Sequence, residues 1–148
     1  MLYYFMKIRV KRFDRSLPLP VYKTPKAASL DLYTRETVTI EPGEVKLIPM
    51  NVAIELPEGY FALLVNRSST FKMGITCVNG LGVIDYDYRG NDDEWLFPAL
   101  NFTKALVTIE KGTRCCQMII LPIEQVEVED ALKLSHNNRG GFGSTGKK

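Results

Sequence analysis

Histidine and cysteine, two residues that supply much enzyme and metal chemistry, are scarce in this sequence. His136 is the only histidine, and the three cysteines are Cys77, Cys115 and Cys116. A Ser-His-Asp triad or a metal centre with several histidines would have to be built around His136, whose polar surroundings favour exposure to solvent. The cysteines are odd in number and lack zinc-ligand spacing, so buried reduced thiols are expected rather than a disulfide framework or metal site.

Long apolar runs and a large charge imbalance are also missing. Residues 1–6 are apolar, but Lys7, Arg9, Lys11 and Arg12 follow at once, so we expect neither a signal peptide nor a membrane span. Charged residues make up 24% of the chain and its formal net charge is +2 at pH 7. That balance gives no reason to expect direct nucleic-acid binding. We expect a cytoplasmic protein, in a bacterium or, if the chain is phage-encoded, in its host.

Short β-type segments separated by turns fill most of the sequence, and helical periodicity is scarce. At 148 residues the chain suits one domain. The segments are rich in β-branched and aromatic side chains and are residues 7–10, 38–40, 45–48, 52–56, 60–65, 107–109 and 118–121. Glycine marks turns at residues 41–43, 57–59 and 111–112. Many short strands joined by such turns predict an all-β sandwich or barrel.

Residues 68–73 are the one predicted helix. They contain no helix breaker before Gly74, and Ser68 or Ser69 can cap the first turn. The N-terminus of this helix would favour an anion beside Arg67.

The C-terminal stretch, residues 135–148, differs in composition from the rest. It is rich in glycine, serine and asparagine and has one aromatic residue, Phe142. Such a stretch cannot bury a core, so composition alone predicts a flexible arm. The expected organisation is a β domain over residues 1–134 followed by this arm.

Residues 82–90, Gly-Val-Ile-Asp-Tyr-Asp-Tyr-Arg-Gly, concentrate acids and tyrosines between glycines. Val83 and Ile84 predict a short buried strand, and the flanking glycines allow a hairpin that backs onto a ligand. Asp85 would then leave the strand facing a pocket. On turn chemistry alone, an Asx turn capped by glycine explains the same residues equally well.

Five short motifs follow one another in chain order. They are Ala28-Ser29-Leu30-Asp31-Leu32, Arg67-Ser68-Ser69, residues 82–90, Arg114-Cys115-Cys116-Gln117-Met118 and residues 140–146. Together they resemble the five signatures of the trimeric dUTP diphosphatases (dUTPases), and the resemblance extends from about Lys7 to the C-terminus. It implies a jelly-roll-like antiparallel β-barrel, assembled as a homotrimer with shared active sites. The implied activity is hydrolysis of dUTP to dUMP and pyrophosphate.

By this resemblance, the third motif binds the nucleoside and activates water. Asp85 would be the general base that orients and deprotonates a water attacking the α-phosphate. Tyr88 would stack on the deoxyribose and leave no room for a 2′-hydroxyl; the alternative is a core aromatic. The uracil edge would meet the Asn79 amide and the backbone of Gly82, Val83 and Ile84.

The other motifs would bind the triphosphate and cover the base. The expected phosphate contacts are Arg67, Ser68, Ser69 and Gln117, with Arg139, Gly143, Ser144 and Thr145 from the arm. Phe142 would lie over the uracil ring. Mg²⁺ would be held mainly by the phosphates and water, with Asp31 reaching its water shell. A structural hydrogen bond or a subunit-interface pair explains Asp31 equally well.

The motifs depart from the family pattern in places. Asn66 replaces a usual proline and Ser69 a usual glycine. In the arm, Asn137 stands where members usually have an arginine, and Arg139 lies next to the glycines. Whether Arg139 takes over the contact with the terminal phosphate stays open.

Residues 91–100 look slightly longer than in the shortest family members, and Trp95 is expected to anchor them in the core. Asp92, Asp93 and Glu94 are expected to form a solvated acidic turn, with a second metal site as the alternative.

Two other functions stay open at this point. The dCTP deaminases share the fold and resemble the third motif, but they use a glutamate at the base-contacting hairpin, where this chain has Asp85 and Tyr88. The second alternative is a non-catalytic β-barrel module that senses a nucleotide.

Overall fold

A computed structural model describes residues 6–146 as short strands with one turn of 3-10 helix. Residues 1–5 of the apolar N-terminal segment, and Lys147 and Lys148 of the predicted arm, lie outside the described residues. The 3-10 helix spans Thr70–Met73. The strands of the described part are β1 (Arg9–Arg12), β2 (Leu30–Leu32), β3 (Val38–Ile40), β4 (Val45–Pro49), β5 (Val52–Glu55), β6 (Tyr60–Asn66), β7 (Ile75–Cys77), β8 (Leu81–Ile84), β9 (Leu96–Asn101), β10 (Val107–Ile109) and β11 (Cys116–Pro122).

The strands pair only in antiparallel fashion within residues 6–146. The largest sheet has the order β2-β11-β6-β8 and the next β4-β9-β7, while β1 pairs with β5 and β10 with β3. β6 and β11 pair over their full length, from Cys116 opposite Asn66 to Pro122 opposite Tyr60. Most neighbours in these sheets are distant in sequence, which is the arrangement of a jelly roll rather than a meander. The predicted all-β, jelly-roll-like fold is confirmed.

One face of each larger sheet supplies the core. Leu64 of β6, Met118 of β11, Ile75 of β7 and Phe97 of β9 are at most 1% exposed. Burying each such side chain stabilises the fold by roughly 1.5–3 kcal/mol. Trp95 is fully buried as well, which confirms it as an anchor of residues 91–100.

The cysteines and the histidine lie where their surroundings in the sequence indicate. Cys77, Cys115 and Cys116 are buried free thiols. Loss of solvent raises the pKa of Cys116 well above its usual value, and the neighbouring Cys115 adds to the effect, so this thiol stays protonated. His136 is exposed.

The opposite faces of the same two sheets are also apolar. Side chains alternate along a strand, so Leu81 and Val83 of β8 point outward and are 44% and 59% exposed. On the three-stranded sheet, Val45 and Leu47 are 44% and 60% exposed. The strand predicted at Val83 and Ile84 exists, but the prediction that Val83 is buried is wrong for the single chain, because β8 has only one covered face.

The predicted helix is shorter than the sequence indicates, and Thr70 rather than a serine makes the side-chain hydrogen bonds at its start. Only Thr70–Met73 are helical, and Ser69 before them makes no capping hydrogen bond. Thr70 Oγ1 instead accepts from Arg67 N and donates to Cys115 O, both at 2.8 Å. The prediction of a serine cap is therefore wrong. No helix within residues 6–146 has the length and apolarity required to cross a membrane.

Three strands, β2, β7 and β9, were not indicated by the sequence pattern. β9 contains Pro98, which normally argues against a central strand. The Pro98 carbonyl accepts from Val78 N at 2.9 Å, beyond the end of β7, so the missing N–H of proline faces a turn and no ladder bond is lost.

Candidate active site

Asp31 is a buried carboxylate held between two arginines. It lies on β2 opposite Gln117 of β11, while Arg67 follows β6 and Arg114 precedes β11. Arg67 Nε donates to Asp31 Oδ1 at 3.0 Å, and Arg114 Nη1 donates to Oδ2 at 2.9 Å. Arg67 Nη1 also donates to the main-chain oxygen of Arg114 at 2.8 Å. Because the side chain of Asp31 is only 10% exposed, these charge-assisted bonds fix both guanidinium groups.

This arginine cluster, formed by Asp31, Arg67 and Arg114, suits an anion. The side chains of Arg67 and Arg114 are 24% and 36% exposed, so part of each guanidinium is open to solvent. Residues 6–146 contain no group of three or more His, Cys, Asp or Glu side chains that could hold a metal ion. Each carboxylate oxygen of Asp31 accepts a hydrogen bond from an arginine. Asp31 therefore does not fit the role of a direct Mg²⁺ ligand. The donors fit phosphate oxygens, which guanidinium groups bind through paired N–H bonds.

Gln117 lies beside the arginine cluster, opposite Asp31, and its side-chain amide bonds two neighbouring residues. Its Nε2 donates to Asn66 O at 3.0 Å, and its Oε1 accepts from Ser29 Oγ at 2.6 Å. Ser68 is exposed and Ser69 is half-buried, both in the turn that follows β6. The fold thus brings together the residues singled out in the first, second and fourth motifs.

The third motif forms a separate part of the candidate site. Ile84 of β8 pairs with Ala62 of β6, and the chain turns immediately after Asp85. β8 is the outer strand of its sheet, so the main-chain groups on its free side have no strand partner within residues 6–146. Asp85 is exposed and, with Tyr86 and Phe61, lines an open groove of about 560 Å³.

Tyr88 is attached at two points. Its N–H donates to Asp85 O at 3.2 Å and closes the turn, and its hydroxyl donates to the main-chain oxygen of Glu94 at 3.0 Å. Loss of solvent raises the pKa of Tyr88, and the negative charges of Asp93 and Glu94 add to the effect. The phenol is therefore protonated, and able to donate, at neutral pH. The ring is 39% exposed and does not belong to the core.

Asp85 and Arg67 lie at opposite ends of β6. Asp85 is next to the position of Phe61, near the start of the strand, whereas Arg67 follows Asn66, its last residue. Six strand positions separate Phe61 from Arg67, which is roughly 20 Å at about 3.3 Å per residue. Within one chain the carboxylate of Asp85 and the arginine cluster therefore do not meet. Asn79 is exposed in the turn before β8, on the Arg67 side.

The arm residues singled out in the fifth motif are all exposed. Phe142 is fully exposed and has a positive φ of 51°. Within the described part of the arm the backbone hydrogen bonds are local, such as the bond from Ser144 N to Gly141 O at 3.1 Å. The last strand ends at Pro122, before the expected boundary between the domain and the arm at residue 134. Arg139, Gly143 and Thr145 are likewise at the surface of the arm.

Glu94 is a partly buried residue whose role the sequence did not indicate. The expectation of a solvated acidic turn holds for Asp92, whose side chain is fully exposed, but is wrong for Glu94, which is 12% exposed. The Glu94 carboxylate accepts from Arg35 Nε at 2.8 Å, from Arg35 Nη2 at 3.0 Å and from Asn51 N at 3.1 Å. Arg35 and Asn51 are 59 and 43 positions away, so no local pattern could identify the group.

Comparison with known proteins gives the family. A family model described as dUTPase matches residues 15–146. The chain belongs to the dUTPase family. A deoxyuridine 5'-triphosphate nucleotidohydrolase of Hydrogenobaculum sp. (strain Y04AAS1) is 45% identical over 97% of this chain and all of its own length. An SPbeta prophage-derived protein of the same name from Bacillus subtilis (strain 168) is 42% identical over the same shares.

A solved dUTPase structure has the same fold. It is a mutant of the Staphylococcus bacteriophage 80alpha dUTPase with dUpNHpp. The two structures align with a TM-score of 0.82 and a sequence identity of 25%. The alignment covers 95% of this chain and 98% of the phage chain. In the present protein, the residues of the five motifs occupy three separate places: the arginine cluster, the turn after β8 and the exposed arm.

Proposed function

We propose that this dUTPase hydrolyses dUTP to dUMP and pyrophosphate, with water attacking the α-phosphate. The names of its relatives support this activity. The structural observation that carries the proposal is the Asp31 carboxylate, which fixes Arg67 and Arg114 side by side. Such a pair stabilises the negative charge that develops on the leaving pyrophosphate while the bond between the α-phosphorus and the oxygen that bridges to the β-phosphate breaks. The reaction supplies dUMP for dTMP synthesis and keeps uracil out of DNA.

The triphosphate binds at the arginine cluster. Arg67, Ser68, Ser69 and Gln117 are its contacts within the domain, and Asp31 acts by holding the arginines. Mg²⁺ bound to the phosphates and to water supplies further neutralisation of their charge. Because the two guanidinium groups would repel a bare dication, the phosphates and water would hold the ion, and Asp31 would contact it only through its water shell.

The nucleoside binds at β8 and the turn that follows it. Along the free edge of β8, from Gly82 through Val83 to Ile84, the main-chain donors and acceptors of alternate residues point away from β6, and these read the edge of uracil together with the Asn79 amide. Tyr88 packs against the deoxyribose. Asp85, exposed at the groove, takes the proton of the attacking water.

A homotrimer completes the site, with the turn after β8 of one subunit placed over the arginine cluster of the next. The separation of Asp85 and Arg67 along β6 supports this arrangement. A closed ring buries two different patches of each subunit, and the outer faces of the two larger sheets are both apolar. Contiguous exposed patches of that kind are typical of interfaces. The residues on these faces are Leu63, Leu81, Val83, Ile119 and Leu121 for the four-stranded sheet, and Val45, Leu47, Leu96 and Leu100 for the three-stranded sheet.

The arm covers the bound nucleotide. Phe142 lies over the uracil ring and excludes water, while Arg139, Gly143, Ser144 and Thr145 contact the outer phosphates. The mobile unit begins at residue 135, after the domain that ends at residue 134. We place the protein in the cytoplasm, where its nucleotide substrate and Mg²⁺ occur together.

The decisive experiment is a substrate panel. Release of pyrophosphate is measured with Mg²⁺ and dUTP, dTTP, dCTP or UTP, and ammonia is measured with dCTP. We expect turnover of dUTP only. Ammonia from dCTP would indicate a deaminase, and binding of dUTP without turnover would indicate a nucleotide sensor.

A further inference from the structure

Glu94 links the turn after β8 to the core through both its side chain and its main chain. Its carboxylate accepts the three bonds from Arg35 and Asn51, and its main-chain oxygen accepts the bond from the Tyr88 hydroxyl. At 12% exposure of the side chain, water competes little for these bonds.

The groups that hold Glu94 are themselves rigid. Asn51 is 1% exposed, and Asn51 Nδ2 donates to Asp14 O at 3.0 Å. Trp95, the next residue, is fully buried, and its main-chain N–H donates to Val52 O at 2.8 Å. The main chain at Glu94 therefore cannot rotate without breaking either its carboxylate bonds or the adjoining bond to β5.

We infer that Glu94, held by Arg35 and Asn51, is a positioning residue that keeps the Tyr88 ring in the orientation that excludes a 2′-hydroxyl. The inference rests on the proposed role of Tyr88 as the wall against ribose. Tyr88 lies in an exposed turn two residues before Gly90, so its main chain alone leaves the ring free to tilt. The hydroxyl bond to Glu94 is the second attachment, and a ring attached at two points keeps a fixed gap beside the sugar.

A purely structural ion pair would behave differently. If Arg35 and Glu94 only stabilised the fold, losing the pair would lower thermal stability and reduce turnover of dUTP and UTP by the same factor. A positioning role changes the ratio of the two, because only UTP gains when the ring tilts. The ratio of kcat/KM for UTP to that for dUTP is independent of the fraction of folded enzyme.

The test measures this ratio in Glu94→Gln, Tyr88→Phe and the double variant. Glutamine keeps the size of Glu94 but turns an N–H donor towards Arg35. Tyr88→Phe removes the hydroxyl bond directly. We expect each single variant to raise the ratio about fivefold, the usual effect of one hydrogen bond. The double variant should show no further increase, because both changes break the same connection.

A matched control is Glu44→Gln. The Glu44 carboxylate also accepts a main-chain N–H, from Glu41 at 2.8 Å, and pairs with Lys46 at 3.7 Å, but it lies before β4, away from the turn after β8. This variant should leave the ratio unchanged.

Two results would overturn the inference while leaving Tyr88 as the wall: a Glu94→Gln variant with the wild-type ratio, or effects of the single variants that multiply in the double variant. Tyr88→Ala is measured beside them and should raise the ratio more than Tyr88→Phe. If Tyr88→Ala leaves the ratio unchanged, the wall role fails and the inference with it, although dUTP hydrolysis itself would stand.

Discussion

At the scale of single residues, Asp31 is the group on which the phosphate end of the site depends. A buried carboxylate is unfavourable by itself, and the two bonds from Arg67 and Arg114 offset the lost hydration. Without Asp31, the two guanidinium groups would repel each other and lose their common orientation. The carboxylate therefore acts on phosphate through the arginines.

Asp31→Asn should lower kcat/KM for dUTP by at least about 30-fold, because truncating one partner of a buried charge pair costs about 2 kcal/mol or more. Steady-state kinetics at several Mg²⁺ concentrations provide the measurement. Asp92→Asn, at a fully exposed acid, is the control and should be neutral. Recovery of the rate at high Mg²⁺ would instead show that Asp31 acts mainly on the ion.

Asp85→Asn should slow turnover of dUTP by at least ~10²-fold and leave nucleotide binding nearly unchanged, because the amide keeps the shape but cannot take a proton. Single-turnover kinetics and calorimetric titration separate the two quantities. Asp87→Asn, at an acid lining the same groove, is the matched control. A wild-type rate in Asp85→Asn would exclude Asp85 as the base.

At the scale of elements, the arm combines exposure with a high glycine content. Ordering such a segment costs about 1–2 kcal/mol per residue in backbone entropy. Closure is therefore expected only where stacking by Phe142 and phosphate bonds from Arg139, Ser144 and Thr145 offset that cost.

A chain that ends before Arg139 should remain folded and assembled but retain little activity, since the sheets end at Pro122. Circular dichroism and light scattering test the fold and the assembly, and pyrophosphate release tests the activity. A truncated chain with full activity would remove the arm from the mechanism.

The turn after β1 is tied to the turn before Arg114 by an ion pair. Lys111 Nζ bonds Asp14 Oδ2, and Ser16 donates to Asp14 Oδ1 from both its hydroxyl and its main chain. The bond from Lys111, followed by those from Ser16, holds the pKa of Asp14 well below its ordinary value of 3.8. A lowered pKa in the folded state means that this contribution to stability is present above about pH 4 and disappears as the pH falls further.

Asp14→Asn should therefore lower the melting temperature at neutral pH and flatten its decline between about pH 4 and pH 2. Melting curves across that range provide the measurement. Parallel curves for the variant and the wild type would show that Asp14 contributes no acid-sensitive stability.

At the scale of the whole molecule, two apolar sheet faces on one small chain indicate an assembly. Two different patches, rather than one self-complementary patch, suit a ring of identical subunits. The same ring would bring the turn after β8 to the arginine cluster of a neighbour. Assembly and catalysis would thus depend on the same surfaces.

The wild-type protein should be a trimer by light scattering, and Leu47→Lys or Leu121→Lys should dissociate it and abolish activity, because each puts a charge on one apolar face. Both positions are exposed in the single chain, at 60% and 36%, so the subunit fold should persist. Thr108→Lys, at an exposed polar position of β10, is the control. An active monomer would rule out the shared site.

Mixing subunits tests the sharing directly. Chains that end before Arg139 and Asp85→Asn chains should recover some turnover when trimers exchange, because an intact arm can then cap an intact Asp85 site on another subunit. Mixed trimers with only the summed activity of the two parents would show that the arm does not act between subunits.

Local patterns predicted those parts of the fold that depend on neighbours in sequence. Strands β3, β6, β10 and β11 coincide with β-branched or aromatic runs, and the turn at Gly59, with φ of 77°, needs a residue that tolerates a positive φ. β9 was missed because Pro98 is acceptable only where its missing N–H faces a turn, and that depends on where β7 ends.

The sequence by itself determined which chemical groups are present and in what order: the acid of the third motif, the arginines of the second and fourth, and the glycine-rich arm. Tertiary structure alone decided which groups meet. Asp31 pairs with Arg67 and Arg114, which are 36 and 83 positions away in the sequence. Glu94 pairs with Arg35, which is 59 positions away. The physical reason is that antiparallel pairing of β2, β6 and β11 joins distant segments, so a side chain's partners depend on strand register rather than on its sequence neighbours.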